Sequence, residues 1–396
     1  MYRVKTYNQI AARGLELFPA DAFRVGAEVA APDAILLRSH VLTPGDLGQG
    51  VRAVARAGAG VNNIPVGDCT ERGVVVFNTP GANANSVKEL TIAALLLGSR
   101  DVIGSMDYVK TLSNVADDQT MHDLVEGEKR RFKGQELFAR TLGVLGLGNV
   151  GSQVARAALD LGMRVIGFDP ALSVDAAWRI PSEIQRMEDA RSLFSQSDYV
   201  TVHIPSLPTT QRLINDDALR AFRRGAVLLN FARQEVVDED AIAAALVDGT
   251  LSAYFSDFPS TKLAKLHNAH ATPHLGASTV EAEENCAVMA AEQLRDFLSF
   301  GNIRNSVNFP DVNLELSFGY RLAVANRNVA GTLGQVLSVL ADDNVNVIDM
   351  INKSRENVAY NLIDIEQPPT PSMTERINAI DSVINLRVFD APGQPV

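Results

Sequence analysis

Arg233 and His274 stand where two apolar runs break into turns, and both side chains can work on a hydroxy or keto acid. Arg233 comes just after the apolar run AVLLN at 226–230 and opens the stretch RQEVVDED. A guanidinium there can fork onto a carboxylate with two charge-assisted hydrogen bonds, or polarise a carbonyl oxygen at C2. The plainer alternative is an exposed arginine paired with Glu235 or Asp238. His274 lies between Pro273 and a glycine turn at Gly276. Histidine titrates near neutrality and can exchange the proton of an alcohol during hydride transfer. The plainer alternative is a hydrogen-bonded loop histidine. His40, His122, His203, His267 and His270 are read that way, and His203, on an apolar strand, fits it least well.

Hydride transfer needs an acceptor, and residues 141–169 supply a place for one. The segment TLGVLGLGNVGSQVARAALDLGMRVIGFD reads as strand, glycine turn, helix, strand. Its turn is a G-x-G-x-x-G made of Gly146, Gly148, Asn149, Val150 and Gly151 around Leu147. Gly146 permits the tight turn, Gly148 lets the backbone approach a pyrophosphate, and Gly151 lets helix pack on strand. The helix N-terminus then presents free N–H groups to the phosphates. Asp169 ends the second strand, where an acid can bind a ribose 2′-hydroxyl and repel a 2′-phosphate. The cofactor predicted is NAD rather than NADP.

These groups must be carried by a large scaffold. A chain of 396 residues with 46% hydrophobic and 21% charged content predicts two to three globular domains. The net charge of −11 argues against bulk nucleic-acid binding. Cys69 and Cys286 form neither a disulfide framework nor a zinc spacing, so no metal is implied and a reducing cytoplasm is expected. The first ten residues lack a signal-peptide core, and no apolar run is long enough for a membrane helix. Short β-branched runs at 4–7, 34–38, 51–56 and 74–77 suggest a first parallel sheet with helical crossovers. Ser86, with Glu89 three residues on, reads as a capping box starting a helix over 87–100. Further strands at 199–203, 226–230 and 252–256 extend the dinucleotide sheet, and a helix over 281–298 returns to the first lobe. Residues 302–310 read as a linker. The tail then follows βαββαβ order, a ferredoxin-like module without a catalytic cluster. The fold class expected is α/β, with two Rossmann-like doubly wound parallel-sheet lobes plus that module. The domains expected are 1–85 with 280–305 for substrate, 86–279 for NAD, and 315–396 for regulation.

Five stretches together resemble the D-isomer-specific 2-hydroxyacid dehydrogenases: GAGVNNI at 58–64, FNTPGANANSVKEL at 77–90, TLGVLGLGNVG at 141–151, NFARQEVVDEDA at 230–241 and TPHLGAST at 272–279. The tail resembles an ACT module. The resemblance implies NAD-dependent oxidation of D-3-phosphoglycerate to 3-phosphohydroxypyruvate, the first step of L-serine synthesis, in a homodimer or homotetramer. It carries cofactor contacts onto Phe231, Ala232, Arg233, Asp257, His274, Gly276 and Ala277. It carries substrate contacts onto Arg38, Arg56, Asn83 and Ser86. Lys129, Arg130 or Arg131 is either a solvated helix end or a contribution from a partner subunit. Asn328 and Asn346 match a turn and strand start that hold an amino acid such as serine, with Asn326 and Ala330 where relatives have histidine and proline.

One departure leaves the proton acceptor open. Most relatives have a glutamate after the element matching Asp257, and it pairs with the histidine. Here Ser256–Lys262 reads SDFPSTK, with no glutamate and with Lys262 near the expected place. A neutral Lys262 could take the alcohol proton if burial or Arg233 depressed its pKa, with His274 supporting; otherwise His274 acts alone. Two rivals remain: a dehydrogenase for unphosphorylated glycerate or hydroxypyruvate, and a non-catalytic NAD-sensing protein of the corepressor kind.

Overall fold

The computed structural model describes residues 1–178, 180–315 and 319–390. It divides the chain into two compact units: Met1–Asn83 together with the chain from Val280 onward, and Ala84–Thr279.

The first unit opens with five parallel strands, β1 (Tyr2–Thr6), β2 (Phe23–Gly26), β3 (Ala34–Leu37), β4 (Ala53–Arg56) and β5 (Val75–Phe77), in the order β2-β1-β3-β4-β5. β2 was not expected; its sequence FRVG has only two large apolar residues and sits on the sheet edge. Alternate residues of β3 and β4 face opposite cores. Ile35, Leu37 and Val54 join Cys69 and Val76, whereas Leu36, Ala53 and Ala55 join Phe77 and the helix Val280–Phe300. Burial on both faces is what makes these short strands read as continuous apolar runs.

The second unit holds seven parallel strands: β6 (Thr141–Leu145), β7 (Arg164–Phe168), β8 (Gln185–Arg186), β9 (Tyr199–Val202), β10 (Ala226–Asn230), β11 (Leu251–Ser256) and β12 (Ala269–Ala271). Their order is β12-β11-β10-β9-β6-β7-β8. Chain direction across the sheet reverses between β6 and β9, which makes that point the ligand crevice of a doubly wound sheet. The first helix of the unit runs Ala84–Ser99 rather than 87–100. Ser86 is therefore buried within its first turn and is not a cap. Two further helices, Val102–Thr111 and Asp118–Glu128, bury none of their residues.

The tail forms an antiparallel sheet of β13 (Tyr320–Arg327), β14 (Val347–Arg355), β15 (Val358–Ile365) and β16 (Val383–Asp390), ordered β14-β15-β13-β16. With helices Thr332–Asp342 and Pro371–Asn378 this is the βαββαβ arrangement. Leu322, Val324, Ile363 and Ile365 pack under the two helices. The opposite face carries Ala323, Ala325, Tyr360 and Leu362, which share a core with Phe77, Phe297 and Phe309. The predicted linker is therefore part of a core. Asn308 is buried, donates to Val74 O and Thr70 Oγ1, and accepts from Val76 N.

Candidate active site

Every dinucleotide-side residue singled out in the sequence follows the carboxyl end of a strand of one sheet. Gly146 follows β6, Asp169 follows β7, Phe231 to Arg233 follow β10, Asp257 follows β11 and His274 follows β12.

The glycine turn has the geometry a nucleotide needs. Gly146 takes φ +92°, and a Cβ there would lie 2.7 Å from His203 O at the end of β9. A Cβ on Gly151 would lie 1.9 Å from Gly146 O, so only glycine lets the helix Asn149–Asp160 start here. Gly148 immediately precedes that helix, and a Cβ on it would meet nothing within 4 Å. The space beside the helix start is open, and the helix presents its first N–H groups there. A groove of about 420 Å³ lies alongside, with Gly148, Asn149, Ser152, Arg156 and Ser173 among its lining residues. Asp169 Oδ2 accepts from Leu147 N at 2.8 Å and Oδ1 from Ala171 N at 2.9 Å. The acid thus fixes the turn, and its remaining lone pairs are left for a ribose hydroxyl. Burial pushes the pKa of the half-buried His203 down to about 3, and its Nε2 meets Thr201 Oγ1 at 2.9 Å. It is a neutral, structural histidine.

Arg233 is half-buried and makes no ion pair among the described residues; its Nη1 donates to Ala232 O at 2.6 Å. Its alternative partners are engaged otherwise. Asp238 caps the helix Glu239–Asp248 and approaches Arg212, and Glu235 is exposed. The turn carrying Arg233 is shaped by Asn230, a fully buried residue the sequence reading did not single out. Asn230 Nδ2 donates to Arg233 O at 2.9 Å and its Oδ1 accepts from Ala232 N at 3.2 Å. An amide ending a buried apolar run was the available signal.

Asp257, expected beside the nicotinamide, is 2% exposed and serves the histidine loop. Its Oδ1 accepts from Thr272 Oγ1 at 2.6 Å and Leu275 N at 2.7 Å, and its Oδ2 from Gly276 N at 2.7 Å. His274, between these anchors, takes φ +59°. That left-handed backbone costs a non-glycine residue about 1 kcal/mol or more, and the Asp257 bonds hold it there. His274 N also donates to Asp257 O at 3.1 Å and Thr272 O at 2.9 Å. Its ring is exposed, packs edge-on against Phe258 at 5.3 Å, and makes no hydrogen bond to a carboxylate among the described residues. That agrees with the missing glutamate.

Lys262 has the opposite of the environment a lysine base requires. It is exposed and ion-paired with Asp240 on the helix Glu239–Asp248. The hydrogen bond it donates to Asp240, with Glu239 and Asp238 close by, raises its pKa. The acidic first turn of that helix, invisible as a neighbour in the linear sequence, is the cause.

In the first unit, Arg38 and Arg56 end the adjacent strands β3 and β4, where Leu37 pairs with Arg56. Arg56 Nε donates to Arg38 O at 2.9 Å and Nη1 to Gly60 O at 2.8 Å. Arg38 Nη1 lies 2.7 Å from Glu283 Oε1. Asn83 is half-buried at the end of the TPGAN turn. In the tail, Asn328 follows β13 and Asn346 precedes β14. The register sets Arg327 and Arg355 level with Val358, and Tyr320 and Val347 level with Ile365. Asn328 and Asn346 thus lie at opposite ends of the sheet, and one chain does not bring them together. Asn326 is buried and bonded to Asn361 and Arg327 O. Lys129 and Arg131 pair with Glu126 and Glu128 one turn earlier on their own surface.

Comparison with known proteins agrees with this geometry. Residues 104–276 match the family described as "D-isomer specific 2-hydroxyacid dehydrogenase, NAD binding domain". The chain is 32% identical over 81% of its length to a D-3-phosphoglycerate dehydrogenase of Methanocaldococcus jannaschii, but spans only 59% of that protein. It is 35% identical over 66% of its length to a hydroxypyruvate reductase of Thermotoga maritima, spanning 83% of it. The fold resembles NAD+-bound 3-phosphoglycerate dehydrogenase of Entamoeba histolytica, with a TM-score of 0.61 at 24% identity over 78% of this chain and 98% of that one. The open helix start beside Gly148 and the acid at Asp169 fit a bound dinucleotide, and the chain belongs to the D-isomer specific 2-hydroxyacid dehydrogenase family, with NAD as its cofactor.

Proposed function

We propose that the chain oxidises D-3-phosphoglycerate to 3-phosphohydroxypyruvate with NAD, the first step of L-serine synthesis. The observation that carries this reading is that Arg233, without an ion pair among the described residues, and the Asp257-clamped His274 both follow carboxyl ends of strands in the sheet that also holds the glycine turn. Bound NAD supplies the acceptor for the hydride that leaves C2. Arg233 forks onto the substrate carboxylate and polarises the C2 oxygen. His274 Nε2 or Nδ1 takes the hydroxyl proton, so that a neutral alcohol becomes a ketone without building up an alkoxide. Lys262 remains a protonated partner of Asp240. Arg38 and Arg56 receive the phosphate.

The carboxylate anchor and proton acceptor are separable by experiment. Turnover of NADH with 3-phosphohydroxypyruvate falls by about 10²–10⁴ in His274→Ala and stays within about twofold in Lys262→Ala. A loss in Lys262→Ala matching that of His274→Ala, with a shifted pH–rate profile, would restore the lysine as base. Absence of turnover with both 3-phosphohydroxypyruvate and hydroxypyruvate favours an NAD-sensing role instead. Reduction of unphosphorylated hydroxypyruvate is the second reading, favoured by the carboxylate already seated on Arg38.

The enzyme works as a homodimer or homotetramer in this reading. Val102, Ile103, Met106 and Val109 lie exposed along a helix that buries none of its own residues, a face a second copy would cover. Because Asn328 and Asn346 sit at opposite ends of one module, serine held by both would need two modules side by side. Two buried, unbridged cysteines support a cytoplasmic setting. Among the described residues no helix is long and apolar enough to cross a membrane.

A further inference from the structure

The expected phosphate site of the first unit already contains an anion of its own. Arg38 and Arg56 extend from neighbouring strands at one sheet edge, and the helix Val280–Phe300 brings Glu283 to Arg38 from its first turn, Nη1 to Oε1 at 2.7 Å. The Arg56 guanidinium is oriented by two backbone carbonyls, Arg38 O and Gly60 O. Both members of the pair are reachable by solutes, with side chains 32% and 42% exposed. Its stability contribution is correspondingly small, so the pair can open at little cost to the fold.

We propose that Glu283 is a specificity-determining residue: it occupies Arg38 in the free enzyme and must release it before a phosphate is bound. The inference rests on the reading that Arg38 and Arg56 face the distal end of the substrate. Two guanidiniums and one carboxylate leave a net charge of about +1. A phosphate monoester carries about −1.5 to −2 near neutrality, so with Glu283 in place the cluster is left with excess negative charge. A hydroxyl in the same position asks for no such exchange. Glu283 therefore narrows the preference for phosphorylated over unphosphorylated acids and makes phosphate binding slower to saturate. It acts on the guanidinium and not on the reacting carbon.

The test compares Glu283→Gln and Glu283→Asp with the wild-type chain. The amide is isosteric and uncharged; the shorter acid keeps the charge but reaches less far. Two quantities are read: the kcat/KM ratio of 3-phosphohydroxypyruvate to hydroxypyruvate, and the calorimetric affinity for inorganic phosphate. Glu283→Gln is expected to raise the ratio about tenfold, through KM, and to tighten phosphate about tenfold, with Glu283→Asp between. An unchanged ratio and unchanged phosphate affinity overturn the proposal, as does weaker phosphate binding in Glu283→Gln. If neither keto acid is turned over by the wild-type chain, the proposed reaction fails, yet phosphate titration still decides the role of Glu283. A thermal melt followed by circular dichroism checks that the variants keep the fold.

Discussion

Replacing Asp257 by asparagine tests whether this residue is a clamp or a cofactor contact. Its two oxygens accept three hydrogen bonds, from Thr272 Oγ1, Leu275 N and Gly276 N, at 2.6 to 2.7 Å in a site 2% exposed. An amide keeps one oxygen. Whichever way it faces, its NH2 group meets at least one of the donors, and that donor loses its acceptor. A buried unpaired donor costs about 1–3 kcal/mol. The bonds that survive lose their charge assistance, about half of their strength. Asparagine also escapes the penalty of burying a charge, so the net destabilisation of the dinucleotide unit should be about 2–4 kcal/mol. The strain at His274, φ +59°, is then no longer held, and the loop should relax. Urea unfolding of the protein without cofactor, followed by circular dichroism, reads the stability. Hydrogen exchange of the Leu275 and Gly276 amides reads the loop. Both should respond before any substrate is added, and kcat should fall with them. If apo stability moved by less than about 0.5 kcal/mol and exchange were unaltered while NADH affinity dropped, the clamp argument would be wrong and Asp257 would be a cofactor contact.

Two further outcomes follow from single positions. Gly148→Ala should fold with unchanged stability, because its φ of −67° suits alanine and the added Cβ meets nothing within 4 Å, yet it should weaken NADH binding at least tenfold by fluorescence titration, since the methyl stands where the pyrophosphate must approach. Burial holds the His203 imidazole down at about 3, against about 6.5 in an unfolded chain; between the two, only the unfolded chain takes up the proton, so stability is lost as pH falls through that window. Urea midpoints should therefore record a loss of about 2 kcal/mol between pH 7 and pH 5, and His203→Gln should flatten that slope.

What the sequence showed, and what it hid, divides by range. The β6-turn-helix-β7 unit was legible because each part is local: apolar strand, fixed glycine spacing, amphipathic helix, terminal acid. Strand ends carrying Arg233 and His274 were legible for the same reason. The partners of those residues were not. Asp240 reaches Lys262 across 22 positions of sequence and reverses the sign of the pKa shift a lysine base would need. Asp257 clamps residues 15 to 19 positions away. Ser86 read as a cap because Ser-x-x-Glu is a capping pattern, but the helix starts two residues earlier and buries it. Residues 302–310 read as a linker because asparagine, serine and proline dominate them; only the fold shows that Asn308 spends its amide on β5 and Val74 O.

That same segment changes how the tail must be understood. A ferredoxin-like module on a free linker would move as a body, but here its non-helical face is sealed into the core of the first unit. Three arginines bind it to backbone carbonyls of the first unit. Arg387 donates to Phe297 O and Leu298 O, satisfying carbonyls near the end of the helix Val280–Phe300, and lies 4.5 Å from the rings of Phe297 and Phe389. Arg321, fully buried, forks onto Asp364 at 2.6 and 2.7 Å and donates to Phe300 O and Leu314 O. Arg355 reaches Ser306 O. A buried guanidinium is costly unless fully bonded, and Arg321, with all its partners in place, therefore favours a single docking geometry. The helix so capped carries Glu283 in its first turn, and its 21 residues span about 30 Å. The tail is thus packed against the same helix whose opposite end holds the carboxylate facing Arg38.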